Sequence, residues 1–358
     1  LFLLALLTAC SRITLPHDAA IAERTERRIV VLVPGITGVE LVDPASREVV
    51  WGRGANLIAP RDHGYRLAVP LGESRPSADE LLVPGDAIEE IRLGPVVKPV
   101  YGPIVELLEN HGWQRGDLDD PAPTDDLFLF AYDWRLDNVD SARRLAEALE
   151  GVAVRRGTEV PVSLICQSNG AHVCRYLVKY GKATLDAAER GERNLPAGVR
   201  VEQLVLVGNA NGGSLRILRY LNRGRKYVRG VGRQFEPEVF FTFESLYQDL
   251  PAYRDDLFVD PQGRPLEADL YDPATWRRYG WSIYGDAPAR RLATAGRTDL
   301  FADAASRERH LERQLANARR FQAVLKHDTP VGSTRYFLIQ NDDVPTPDRA
   351  VLRPTAQG

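Results

Sequence analysis

The chain has 358 residues, a formal net charge of −3, 44% hydrophobic residues and 27% charged residues. This length is sufficient for one large α/β domain with insertions, and this composition excludes wholesale disorder. Nothing in the total charge indicates a nucleic-acid partner, and the sequence contains no metal-ligand spacing, phosphate loop or dinucleotide fingerprint. We therefore expect neither a cofactor nor a metal.

The N-terminal residues indicate export to a bacterial envelope. Residues 1–9 form an uncharged apolar run that is too short to span a bilayer and resembles the hydrophobic region of a secretory signal. The run ends in LTAC, which resembles a lipobox, and Ser11 is compatible with outer-membrane sorting. We expect Cys10 to carry a lipid anchor and residues 12–27 to form a linker. The alternative is an ordinary signal peptide with a chance cysteine.

Predicted strands and helices alternate from residue 28 to residue 214, which is typical of a doubly wound, mostly parallel sheet. The predicted strands are residues 28–33, 126–130, 160–165 and 203–207, and the predicted helices are residues 101–113, 141–156 and a segment that ends near Tyr180. Residues 50–94 are rich in Gly, Pro and charge and lack sustained periodicity. We expect a lid or binding loop there.

The pattern changes after Ser214. Residues 215–331 are predicted to be mostly helical or irregular, without a clear buried strand, so we expect a cap inserted into the sheet. Residues 334–339 predict a last strand that returns to the core. The expected organisation is a signal remnant and linker (1–27), a core (28–214) with its lid loop, the cap (215–331), and a truncated final part of the core (332–358).

A strand-to-helix corner centred on Ser168 gives the first sign of chemistry. The letters CQSNG at residues 166–170 match the nucleophile elbow GxSxG of α/β-hydrolases, with Cys166 in place of the first glycine. The turn requires small neighbours, which Gly170 provides. Ser168 is therefore the candidate nucleophile, and the alternative is a serine that caps the helix. A bridge between Cys166 and Cys174 would distort both elements, so we expect free thiols.

Acyl transfer also needs donors for the oxyanion. We expect one to be the backbone amide of Asn169, directly after the serine, and the other to be that of Ile36 or Thr37. The latter two lie in a turn between Gly35 and Gly38 after the first predicted strand. The alternative is that these glycines only shape the turn.

Several segments together resemble the lecithin:cholesterol acyltransferase family, which includes lysosomal phospholipase A2 and phospholipid:diacylglycerol acyltransferases. The resemblance lies in VVLVPGITG at residues 30–38, VW at 50–51, FAYDWRL at 130–136, the elbow, VGNANGGS at 207–214, FES at 243–245, LP at 250–251 and IQNDDVPTP at 339–347. The chain departs from the family at Cys166, at Ala210 in place of proline, and in lacking cysteines between Trp51 and Gly94.

This resemblance implies an α/β-hydrolase fold with an inserted helical cap and a lid loop. It also implies transfer of an acyl group from a glycerolipid to an alcohol or to water through an acyl-serine. Within the FAYDWRL segment, Asp133 and Arg135 are expected to form a structural salt bridge near the mouth of the site.

The sequence does not complete a Ser–His–acid triad. In this fold the acid and then the histidine follow the nucleophile, and no histidine follows the last predicted strand. The family places both residues after the segment that ends here, so we expect them, with the C-terminal part of the core, beyond Gly358. A competing register takes Asp342 or Asp343 as the acid. A weaker candidate base is His172, one helical turn after Ser168.

The predicted cap begins with a basic run that alternates with apolar residues. Its basic members are Arg216, Arg219, Arg223, Arg225, Lys226, Arg229 and Arg233. One reading is a docking face for anionic lipid headgroups, and the other is a solvated helix face.

We therefore expect a lipid-anchored, serine-dependent acyltransferase or phospholipase acting on glycerolipid esters. Its partners would be the ester substrate and the membrane surface, reached through the lipid anchor and, on one reading, the basic cap. The alternatives are a carboxylesterase or lipase for other esters, and a catalytically inactive lipid-binding envelope protein on the same scaffold.

Overall fold

A computed structural model describes residues 28–57, 60, 62–72, 76–77, 80–209, 211–227, 233–295, 298–343 and 345–353. The expected signal remnant, linker and lipidation site Cys10 lie outside these residues.

The described strands, in chain order, are β1 (Ile29–Val33), β2 (Val39–Val42), β3 (Val49–Trp51), β4 (Val83–Ala87), β5 (Glu90–Leu93), β6 (Val96–Pro99), β7 (Leu127–Leu129), β8 (Val160–Gln167), β9 (Val199–Val207), β10 (Phe258–Val259), β11 (Arg335–Ile339) and β12 (Ala350–Val351). The described α-helices are α1 (Gly102–Asn110), α2 (Asn138–Arg156), α3 (Gly170–Tyr180), α4 (Leu185–Glu189), α5 (Leu215–Arg223), α6 (Pro237–Phe241), α7 (Glu244–Gln248), α8 (Pro273–Arg278), α9 (Asp286–Ala295), α10 (Thr298–Phe301) and α11 (Ala304–Lys326).

The fold is α/β, with a central sheet of parallel strands in the order β11-β9-β8-β1-β7. Every residue of β1 is buried, as expected for an apolar strand covered on both faces by helices. The long helix α2 buries Leu145, Leu149 and Val152 along one side. It begins at the capping side chain of Asp137 and ends at Gly157, whose φ of 66° is readily adopted by glycine.

The strand register aligns the carboxyl ends of three neighbouring strands. Gln167 of β8 pairs with Val207 of β9, which in turn pairs with Ile339 of β11. The residues that follow these strands therefore leave the sheet at the same edge. Ser168 follows β8 directly, and β11 is two strand spacings, about 10 Å, from β8.

Residues 50–94 contain regular structure that the sequence analysis did not predict. Strands β3, β2 and β4 form a small antiparallel sheet, and β5 and β6 form a hairpin. β3 has only three residues, and β4 contains Pro84 and Gly85. A strand is normally predicted from alternating apolar and polar residues, and both features obscure that alternation.

Residues 215–331 are mainly helical, as predicted, except that the two-residue strand β10 pairs with β12. The longest helix, α11, buries Leu311, Leu315 and Phe321 and packs against α3, α4 and α7. The last predicted strand does join the sheet as β11. However, the side chains from Tyr336 to Ile339 stay about half-exposed instead of entering the core.

Cys166 and Cys174 form a disulfide, so the prediction of free thiols is wrong. The sharp turn at Ser168 folds α3 back beside the end of β8. The two Cα atoms are therefore 6.6 Å apart, which is within the range that a disulfide spans without distorting its elements. The bridge joins β8 to α3, the helix that follows it.

We predict that this disulfide stabilises the fold by about 2–3 kcal/mol, because it restricts a short loop in the unfolded chain. Urea unfolding of the full chain should shift to a lower midpoint when a reductant is added. The variant Cys166→Ala/Cys174→Ala should unfold at a lower midpoint than the oxidised wild type, and the reductant should not change that midpoint. Two free thiols at these positions in the oxidised protein, measured by mass spectrometry, would contradict the bridge.

Candidate active site

The Ser168 turn has a strained backbone. Ser168 has a φ of 53°, in the left-handed region that non-glycine residues rarely occupy. Its amide donates to the carbonyl of Val207 (3.1 Å), and its carbonyl accepts from the amide of Ala171 (3.0 Å) at the start of α3. The strand ends and the helix begins within three residues. This is the geometry that lifts a serine side chain above the edge of a parallel sheet.

Two glycines allow this turn to contact the turn after β1. A Cβ added at Gly170 would lie closer than 3.0 Å to the carbonyl oxygens of Val33 and Pro34. A Cβ at Gly35 would lie equally close to the side chains of Gln167 and Ser168. The two turns therefore require glycine at both positions.

The turn after β1 presents unused backbone amides beside the serine. Its shape is closed by a hydrogen bond from the amide of Gly38 to the carbonyl of Gly35 (3.0 Å), and Thr37 adopts a φ of 70°. Within the described residues, the amides of Ile36, Thr37 and Asn169 donate no hydrogen bond. These are the three amides that the sequence analysis named as oxyanion donors.

The amide of Gly35 is already engaged. It lies 3.1 Å from both the Tyr101 hydroxyl and Oε1 of Gln167, and the Tyr101 hydroxyl donates to the same Oε1 (2.9 Å). Burial raises the pKa of Tyr101, so its hydroxyl stays protonated. This triangle fixes Gln167 against the turn. It leaves Ile36 and Thr37 as the available donors on this side.

Thr37 is also held from outside its own turn. Its carbonyl accepts a hydrogen bond from Nε1 of Trp51 (3.1 Å). The ring of Tyr227 packs on Trp51 with the ring centroids 5.0 Å apart. Trp51, itself packed against Tyr227, therefore supports the strained position of Thr37.

The FAYDWRL segment ties the two turns together. The buried hydroxyl of Tyr132 donates to the carbonyl of Pro34 (2.7 Å) and accepts from Nδ2 of Asn169 (3.4 Å). The amide group of Asn169 also exchanges two hydrogen bonds with that of Asn138, at 2.8 and 3.1 Å. Burial raises the pKa of Tyr132, so this donor keeps its proton. The segment thus orients Asn169 through its side chain and leaves its backbone amide available.

The sequence-predicted pair of Asp133 and Arg135 is present and buried. Nε and Nη2 of Arg135 donate to the two carboxylate oxygens of Asp133 (2.9 and 2.6 Å), and Nη1 donates to the carbonyl of Leu67. The two charges therefore neutralise each other within the loop. The geometry gives the pair a structural role.

Within the described residues, the Oγ of Ser168 makes no hydrogen bond, so it is bonded to neither an acid nor a base there. Nε2 of His172 lies 2.8 Å from Oδ1 of Asp249, and both side chains are nearly buried. His172 is therefore engaged with Asp249 at the end of α7. No local pattern in the sequence indicates this contact, because its partner lies 77 residues away.

Asp342 and Asp343 follow β11 at the carboxyl edge of the sheet and are exposed. The amide of Asp343 donates to Oδ1 of Asn341 (2.8 Å), which closes a local turn. The two aspartates follow β11 at the same sheet edge at which Ser168 follows β8. Among the described residues, no group of three or more His, Cys, Asp or Glu is arranged to hold a metal ion. In the same part of the chain, no helix is long and apolar enough to cross a bilayer.

No protein-family model matches this chain, and no curated protein matches it. Among solved structures, it is similar to one described as the crystal structure of the Tle4–Tli4 complex. The TM-score is 0.47 and the sequence identity 15%, with 83% of this chain and 72% of the other covered. A similarity this distant says nothing about the site, so the assignment of function depends on this chain's own residues.

The contact between the two turns can be tested with paired glycine variants. Gly170→Ala should lower the free energy of unfolding by about 1–3 kcal/mol, because its methyl group meets backbone carbonyls that cannot rotate away. The matched control is Gly151→Ala on the exposed side of α2, where nothing lies within 4 Å. It should raise the free energy of unfolding by roughly 0.5–1 kcal/mol. If both variants unfold alike in urea, the contact is not tight.

Proposed function

We propose that the protein is a serine-dependent hydrolase or O-acyltransferase that acts on glycerolipid esters, with Ser168 as its nucleophile. The observation that carries this proposal is the left-handed backbone of Ser168 between a parallel strand and a helix. A helix-capping serine needs extended backbone at the cap position, not a positive φ. Strain of this kind is retained where it places a side chain for chemistry.

The unused amides around Ser168 support acyl transfer. In the proposed reaction, Oγ attacks the ester carbonyl, and the negative charge develops on the carbonyl oxygen. The amide of Asn169 and that of Ile36 or Thr37 would donate to this oxygen without first breaking another hydrogen bond. Asn169 also lies at the N-terminus of α3, where the helix dipole favours negative charge. The alcohol then leaves, and water or a second alcohol releases the acyl group.

Deprotonation of Ser168 requires a base oriented by a carboxylate. Asp342 and Asp343 follow β11, which lies two strand spacings, about 10 Å, from β8, and we propose one of them as the orienting acid. That separation leaves room for an imidazole between the acid and Oγ. His172 does not suit the role, because neither ring nitrogen is hydrogen-bonded to Oγ of Ser168 among the described residues: Nε2 contacts Asp249, and Nδ1 is buried without a partner.

The choice of glycerolipids rests on the family resemblance of the FAYDWRL, VGNANGGS and IQNDDVPTP segments. Attachment of the chain to a membrane through Cys10 would keep it beside such substrates. Hydrolysis of soluble esters alone would instead favour a carboxylesterase. Absence of turnover on any ester in the full-length protein would favour an inactive lipid-binding protein.

The first test replaces the nucleophile. Ser168→Ala in the full-length protein should remove release of fatty acid from phospholipid vesicles and transfer to an added alcohol. Its thermal unfolding should stay close to that of the wild type. The control Ser46→Ala, on an exposed turn, should keep full activity. Retained activity in Ser168→Ala would refute the assignment.

The second test concerns the acid. We expect one of the variants Asp342→Asn and Asp343→Asn to lower turnover by about 10³–10⁴-fold, because the base that deprotonates Ser168 would lose its orienting carboxylate. Both side chains are exposed, so folding should not change. Asp328→Asn, an exposed acid before β11, is the control. Wild-type turnover in the double variant Asp342→Asn/Asp343→Asn would place the acid elsewhere.

A further inference from the structure

Helix α5 carries a positive stripe on its exposed side. Its buried side consists of Leu215, Ile217, Leu218 and Leu221. The exposed side carries Arg216, Arg219 and Arg223, spaced so that they project from adjoining turns of one face. The helix begins at Ser214, whose side chain accepts a hydrogen bond from the amide of Arg216.

These three arginines have no carboxylate partner within the described residues. Other arginines of the protein do have carboxylate partners. Arg291 pairs with two glutamates, and Arg320 pairs with Asp186 and Glu189. The positive charge of α5 is therefore available to an external anion, whereas the charge of those arginines is neutralised within the protein.

An apolar groove of about 270 Å³ lies beside this stripe. Its floor includes Leu215, Leu218, Phe258 and Trp281, and its rim includes Arg219, Arg223 and Arg349. None of its lining residues is acidic. A larger groove of about 1100 Å³ is lined by carboxylates and cationic side chains in similar numbers, so its charge is mixed. Apolar and cationic surface thus adjoin at the smaller groove.

The stripe lies near the edge of the sheet that carries Ser168. Strand β9 ends at Val207, beside Gln167, and the chain reaches α5 within a few residues. The start of α5 is fixed there, since the amide of Ser214 donates to the carbonyl of Asp249 (2.9 Å). Asp249 also contacts His172 of α3, so the start of α5 is linked through one residue to the helix that follows Ser168.

We propose that the α5 stripe and the adjoining groove bind the surface of an anionic phospholipid bilayer. Arg216, Arg219 and Arg223 pair with headgroup phosphates, and the groove takes apolar chain from the interface. This inference deepens the proposed function, because it gives the enzyme a second contact with its substrate phase. The binding itself does not require catalysis, so the two proposals fail independently.

The test measures sedimentation with vesicles of phosphatidylcholine and phosphatidylglycerol, in the full chain carrying Cys10→Ala and Ser168→Ala. These changes remove lipid attachment and hydrolysis. Adding Arg216→Gln/Arg219→Gln/Arg223→Gln should weaken binding about a hundredfold, since each arginine near an anionic surface contributes roughly fivefold. Binding by the unaltered stripe should also fall at high salt and on pure phosphatidylcholine.

The matched control removes equal charge from paired arginines. Arg155, Arg190 and Arg200 each contact a carboxylate, and Arg200 lies at the amino end of β9. Their triple replacement by Gln should leave vesicle binding unchanged. Equal vesicle binding by the two triple variants would overturn the proposal. Equal affinity of the unaltered stripe for vesicles with and without phosphatidylglycerol would overturn it as well. It would also be overturned if the stripe variant altered only self-association, measured by light scattering.

Discussion

The close approach of two backbone turns is the constraint on which the site depends. The Ser168 turn lies against the turn at residues 34–38, and no side-chain carbon fits between Gly170 and the carbonyls of Val33 and Pro34. This contact brings the strained serine and the unused amides of both turns to one sheet edge. A looser contact would separate Ser168 from the unused amides of Ile36 and Thr37, and the oxyanion contacts that we propose for them act only at hydrogen-bond distance.

Buried polar side chains hold this contact in place. Tyr132 bonds to both turns, Tyr101 and Gln167 fix the amide of Gly35, and the disulfide of Cys166 joins β8 to α3. Each of these groups is buried or partly buried, where an unmet hydrogen bond is costly. The FAYDWRL segment therefore has a structural role, because its Tyr132 holds the Ser168 turn against the turn at residues 34–38.

The sequence predicted those features that depend on local pattern. Apolar runs located β1, β8 and β9, and helical spacing located α2, within a few residues. Features that depend on the three-dimensional path were missed. The disulfide was rejected because the return of α3 along β8 is not visible in the sequence, and the His172–Asp249 contact joins distant segments. The short strands between residues 49 and 99 were hidden by proline and glycine.

The proposal that Ser168 is the nucleophile is tested most directly by finding which serine forms a covalent adduct. The full-length protein would be treated with a fluorophosphonate, which reacts with activated serines, and then digested for peptide mass spectrometry. We predict a single phosphonylated serine at Ser168, formed only in the folded protein. An adduct on another serine, with Ser168 unmodified in the folded protein, would contradict it.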